Sequence, residues 1–76
     1  MLHRAVVSSH IRSVAHDAEE RILEIQFQSG ATYQYINVPA NVHADLMKAD
    51  SKGTYLAKFI KGKYAYRMTR PALRRI

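Results

Sequence analysis

The sequence predicts an α+β fold: a three-stranded antiparallel β-meander covered on one face by two short α-helices. Three observations carry that expectation. Leu23, Ile25 and Phe27 alternate with Glu24, Gln26 and Gln28, so one side of this strand is apolar and the other wet. Gly30-Ala31-Thr32-Tyr33-Gln34-Tyr35 then continues the alternation after a turn, and sends both tyrosines to one face. From Pro39 onward the apolar spacing changes from two residues to the helical three and four.

Met1 to Ser9 has no clear period and reads as a lead-in whose end joins the sheet. The first strand is expected over Ile11–His16. Asp17-Ala18-Glu19-Glu20 follows as a turn, because an aspartate side chain can bond the backbone two residues on. The second strand covers Arg21–Phe27. Gln28-Ser29-Gly30 makes the hairpin, with Gly30 free to take a positive φ. The third strand, Ala31–Asn37, is rich in strand formers. Pro39 suits the first turn of a helix. From there to about Asp50, Val42, Leu46 and Ala49 fall on one arc. Ser51 is a candidate N-cap for a second helix, in which Tyr55, Leu56, Phe59 and Ile60 form the buried stripe and Gly62 the C-terminal stop. Lys63–Met68 is expected to be extended or irregular, with a second Tyr-x-Tyr pair at Tyr64 and Tyr66.

A chain of 76 residues is one domain. At that size about 60% of the unfolded surface is buried, enough for one two-layer core and no deep enclosed site. The expected organisation is a lead-in over residues 1–6, a domain over 7–68 and a basic tail over 69–76. There is no cysteine, so disulfides and thiolate metal sites are excluded. No apolar run reaches the length of a membrane span, and Met1–Val7 lacks a signal-peptide core, so a cytoplasmic protein is expected.

The charge is unevenly spread. Residues 1–50 carry four lysines and arginines against six carboxylates, whereas residues 51–76 carry eight and no carboxylate. Such asymmetry points to a polyanionic partner, against the plainer reading of a solubilising surface. Lys58 and Lys61 lie three apart on the outer side of the second helix, Lys63 follows its end, and Tyr64, Tyr66 and Arg67 come next. Cations interleaved with aromatics suit a phosphate backbone with occasional stacked bases. Ser51-Lys52-Gly53 adds backbone N–H groups at a helix start. Tyr33 and Tyr35 have the spacing of a base-stacking pair on a sheet. They also suit the core, and their apolar character favours burial.

Catalytic devices are not evident. His3, His10, His16 and His43 show no metal-binding spacing. Ser8 and Ser9 beside His10 lack a third orienting group, Glu19 and Glu20 sit in a turn, and Ser51-Lys52-Gly53 is too short for a phosphate loop. No enzyme activity, cofactor or metal is expected.

Val7-Ser8-Ser9, Ile11, Asp17, the Gly30 hairpin with Tyr33-x-Tyr35, Val38-Pro39, and Asp50-Ser51-x-Gly53-x-Tyr55 with Ile60 and Tyr64 occur in an order that resembles the KTSC domain. That module is found at the C-terminus of some lysyl-tRNA synthetases and as free-standing bacterial proteins. The resemblance implies a unit of about sixty residues spanning Val7 to Tyr66, with a proposed role in RNA binding. His16 departs from the pattern, standing where the family often carries an aromatic, and Arg70, Arg74 and Arg75 fall outside it.

The residues therefore lead to a small module that binds RNA or another nucleic acid through Lys52, Lys58, Lys61, Lys63, Tyr64, Tyr66 and Arg67, with Tyr33 and Tyr35 as further candidates. The rival is a protein-interaction or homodimerisation module that uses the first or third strand as an exposed sheet edge.

Overall fold

The computed structural model describes residues 1–73 and shows an α+β fold with an antiparallel sheet of five strands, not three. The strands are β1 (Arg4–Ala5), β2 (Ile11–Asp17), β3 (Ile22–Phe27), β4 (Thr32–Tyr35) and β5 (Tyr66–Arg70), side by side in that order. The central three are the expected meander. Part of the expected lead-in pairs with β2, Arg4 opposite Val14. At the other side, the stretch expected as extended or irregular pairs with β4, Tyr66 opposite Tyr35. Arg74 and Arg75 of the expected tail lie outside the described residues.

Local chemistry sets the connections. Asp17 Oδ1 accepts from the backbone N–H groups of Glu19 (3.0 Å) and Glu20 (3.1 Å), which closes the first turn as its sequence requires. Gly30 takes φ +95°, and Gly30 N–H donates to Phe27 O. After Pro39 comes α1 (Ala40–Lys48), then α2 (Lys52–Tyr55), where Ser51 Oγ accepts from Thr54 N–H as an N-cap. The helix runs on into a π-helical segment, Leu56–Ile60, closed by Lys61 N–H donating to Leu56 O at 2.8 Å. A type II turn with Gly62 at φ +77° then directs the chain to β5.

The π turn corrects the expected stripe. A turn closed five residues back holds more residues, so each advances the helix by a smaller angle. Leu56 and Ile60 still face inward, but Phe59 swings off the buried line and is 55% exposed against Tyr55.

One face of the sheet holds the core. Ile11 and Val14 of β2, Leu23 and Ile25 of β3 and Tyr35 of β4 pack with Val38, Leu46, Leu56 and Ile60. Ile11 and Val14 are an odd number of residues apart, so regular alternation would put them on opposite faces. A register shift between Ile11 and Ser13 brings both inward. The other face is polar, with Ser13, Glu24, Gln26, Thr32 and Gln34 projecting from it. At the β1 side, His16 stacks on His43 of α1, rings 5.1 Å apart, and its Nε2–H donates to Val38 O. Burial, then the neighbouring His16 and Arg4, holds His43 below the ordinary imidazole value. No helix among the described residues is long and apolar enough to cross a membrane.

Two outcomes test this packing. Gly30→Ala would hold alanine at positive φ and set its Cβ 2.9 Å from Leu73 Cγ. The expected loss is about 1–2 kcal/mol in urea unfolding, and an unchanged midpoint would contradict the turn geometry. Burial raises the Tyr35 phenol from 10.0 to about 12, helped by Tyr33 and Tyr66. Because the folded-state value is the higher one, Tyr35 contributes stability that is complete below pH 10.0 and lost as pH rises through about 12. Tyr35→Phe removes the latest phenolate step in an ultraviolet titration. Ionisation of Tyr35 alongside the exposed tyrosines would contradict its burial.

Candidate nucleic-acid interface

The segment before β2 forms one wall of an open groove, and the start of α2 with the π segment forms the other. Ser8 Oγ accepts from Ile11 N–H (3.1 Å) and His10 N–H (3.3 Å), which folds Val7–His10 back on itself. Gln28 N–H donates to His10 O at 2.8 Å and ties that wall to the β3–β4 hairpin. Ile11, Phe27, Leu56 and Ala57 give the groove an apolar side, and its volume is about 940 Å³. Lys52, Lys58 and Lys61 line it, with Asp50 as the one carboxylate beside them. Lys52 Nζ donates to Ala49 O at 2.7 Å and so closes the end of α1, whereas Lys58 and Lys61 are exposed.

A smaller hollow of about 310 Å³ adjoins the groove on the same side of the sheet, toward β5. Tyr33, Met68, Phe27 and Lys61 line it, and no carboxylate does. Tyr33 meets Phe27 edge to face at 5.4 Å and stacks on Tyr66 at 5.3 Å with the planes 12° apart. Phe27 and Lys61 line both depressions, so the two are contiguous. Among the described residues, the one contact between a cation and a carboxylate is that of His3 with Glu24. None of these lysines is neutralised by an acidic side chain.

The nine residues singled out from the sequence thus divide. Lys52, Lys58 and Lys61 share the groove, and Tyr33 and Tyr66 form the aromatic shelf beside it. Tyr35 is 1% exposed, so its ring has no face open to a base. Tyr64 is half-buried against the core, with its N–H donating to Ile60 O. Lys63 is exposed in the turn before β5. Arg67 lies on the opposite face, because it pairs with Gln34 while its neighbours Tyr66 and Met68 pair with the inward tyrosines. Its Nε–H donates to Gln34 Oε1 at 2.8 Å. The basic half of the chain is therefore not one patch.

Sequence reasoning missed Val7–His10, Phe27 and Met68 as parts of this surface. It also missed a polar chain on the far face. His3 bonds Ser13 Oγ through Nδ1 (2.8 Å) and Glu24 through Nε2, and Gln34 donates to Glu24 Oε1 (2.8 Å). Burial alone would raise the Glu24 carboxyl, but the bonds from His3 and Gln34 outweigh it and hold the group below its ordinary value. The order serine, histidine, carboxylate has the composition of a nucleophile relay. Ser13, however, is 7% exposed, and its Oγ–H is directed at Gln26 Oε1 (3.0 Å). With its proton committed to Gln26, the Ser13 hydroxyl does not present it to His3. Among the described residues, no group of three histidine, aspartate or glutamate side chains is placed to hold a metal ion.

Comparison with known proteins agrees with this geometry at the level of the fold. Residues 7–64 match the family model of the KTSC domain. A lysine–tRNA ligase of Trichormus variabilis is 41% identical over 58 residues, which is 76% of this chain and 10% of that enzyme. The chain thus spans about a tenth of the length of the ligases it matches. An uncharacterized protein of Stutzerimonas stutzeri is 42% identical over 60 residues, covering 79% of this chain and 84% of that protein. The crystal structure of a KTSC domain protein from Yersinia pestis superposes with a TM-score of 0.86 at 43% identity, over 88% of this chain and 94% of that one. With its fold, its order of motifs and these relatives in agreement, the chain belongs to the KTSC domain family.

Proposed function

We propose that this KTSC domain is a non-enzymatic module that binds RNA, or nucleic acid more generally, along the lysine-lined groove. The observation that carries the reading is the groove's continuity with the aromatic hollow through Lys61 and Phe27. Exposed ammonium groups attract a phosphate backbone at any sequence, and adjoining rings can accept bases. Lysine–tRNA ligases carry a related segment, and their name associates those enzymes with tRNA; on this reading the module works in the cytoplasm. Lys58 and Lys61 are the principal contacts. Lys52 contributes less because its ammonium also holds α1, and Arg67 contributes nothing to this face.

The rival, docking through a sheet edge, has less support. The strands first expected as edges, β2 and β4, are each paired on both sides. The free edges are β1, only two residues long, and β5, which carries Arg67 and Arg70, a register shift beside Thr69 and Pro71 just beyond. Charge, irregular register and proline are the features by which edge strands avoid pairing.

Fluorescence anisotropy with labelled tRNA and a single-stranded oligoribonucleotide tests the reading. Three lysine–phosphate contacts would give a salt slope of about −2 on a log–log plot, from roughly 0.7 per contact on single strands. Lys58→Glu with Lys61→Glu should weaken binding by about tenfold or more at low salt, since each lost contact becomes a repulsion. Absence of binding at low salt, or an unchanged affinity in the double variant, would overturn it.

A further inference from the structure

On the reading that the groove holds nucleic acid, we propose that the exposed ring of Tyr66, stacked on Tyr33 beside the hollow that Tyr33 and Met68 line, seats one unpaired base. The domain would then select single-stranded over double-stranded RNA. The three tyrosines of β4 and β5 form a closed set, with ring centres 5.3 Å apart for Tyr33 and Tyr66, 5.8 Å for Tyr35 and Tyr66, and 6.4 Å for Tyr33 and Tyr35. They step outward from the core. Tyr35 is enclosed, Tyr33 is half-buried and Tyr66 is 60% exposed. Two neighbouring rings fix Tyr66, so little side-chain freedom remains to be lost when a ligand settles on it. Met68, 53% exposed on the same face, adds a polarizable apolar neighbour.

Charge decides between occupants. An apolar shelf alone would serve any hydrophobic partner. The hollow beside this one has Lys61 and no carboxylate in its lining, and adjoins the groove that Lys58 and Lys61 share. A strand whose phosphates follow the lysines can turn a base onto Tyr66. A duplex cannot, because its bases are stacked on each other and its side-chain-accessible surface is phosphate and ribose. Stacking on an aromatic face tolerates any sequence, because every base has a π-face.

The test compares a mixed-sequence oligoribonucleotide with the blunt duplex it forms with its complement, both labelled, in anisotropy titrations at one salt concentration. The single strand should bind about tenfold more tightly, the effect expected of one stacked base. Tyr66→Ala should abolish that difference by weakening the single strand alone, while Tyr66→Phe retains it. Lys58→Glu should weaken both forms. The chain has no tryptophan, so its tyrosine emission reports directly, and its quenching by the single strand should diminish in Tyr66→Ala. A thermal melt establishes that this variant is folded, and Met68→Ala, with a smaller loss of the same preference, serves should it not be. Equal affinity of the unaltered protein for both forms would overturn the base seat and leave the groove reading intact. So would a Tyr66→Ala loss shared equally by the two forms. Binding of neither form would remove both.

Discussion

The apolar residues of the strands must reach one side of the sheet, because a domain of this size has a single layer of helix to cover them. Simple alternation does not achieve this. Ile11 and Val14 reach the same side through a register shift in β2, and Tyr66 and Met68 stay opposite Tyr35 and Tyr33 with a second shift beside Thr69. Each shift inserts one residue and restores the period beyond it. Without the first, Val14 and Ile25 would not meet in the core; without the second, Arg70 would follow Tyr66 and Met68 to the apolar side instead of lying opposite Thr32 on the polar one.

Unequal covering of that apolar side shapes the candidate interface. Leu46, Leu56 and Ile60 close the core over β2, β3 and the inner part of β4. Toward β5 the cover ends, and the aromatic rings continue into solvent with Lys61 beside them. The polar side has an opening of its own, about 400 Å³ beside His3, Glu24, Gln26, Thr32, Thr69 and Arg70, but there His3, Ser13, Glu24, Gln34 and Arg67 are joined in a chain of hydrogen bonds. A ligand approaching there would have to displace paired groups, at a cost that one new bond would not recover.

The parts of the fold that were legible in the sequence are those whose signal is local. The Leu23-Ile25-Phe27 alternation, the Asp17 turn, the Gly30 hairpin and the Ser51 cap each read correctly, because a few adjacent residues determine them. β1 was hidden because two residues carry no period. β5 was hidden because Arg67 and Arg70 dilute its alternation and the shift beside Thr69 breaks it. The groove was half legible. Lys58 and Lys61 announced themselves by spacing, but Val7–His10 meets them only through contacts across the fold. Charge counting could not reveal that Arg67 would face the other way, since that depends on a register set by β4.

The hydrogen bond from Lys61 N–H to Leu56 O also governs where positive charge sits. In a regular α-helix, side chains three residues apart lie nearly above one another. The wider winding after Leu56 fans such neighbours apart instead. Lys58 then serves the larger depression alone, and Lys61 stands at the junction of the two. One carbonyl's choice of donor, made within the backbone, thus distributes two ammonium groups along a path rather than concentrating them at a point, which is the pattern a linear polyanion requires.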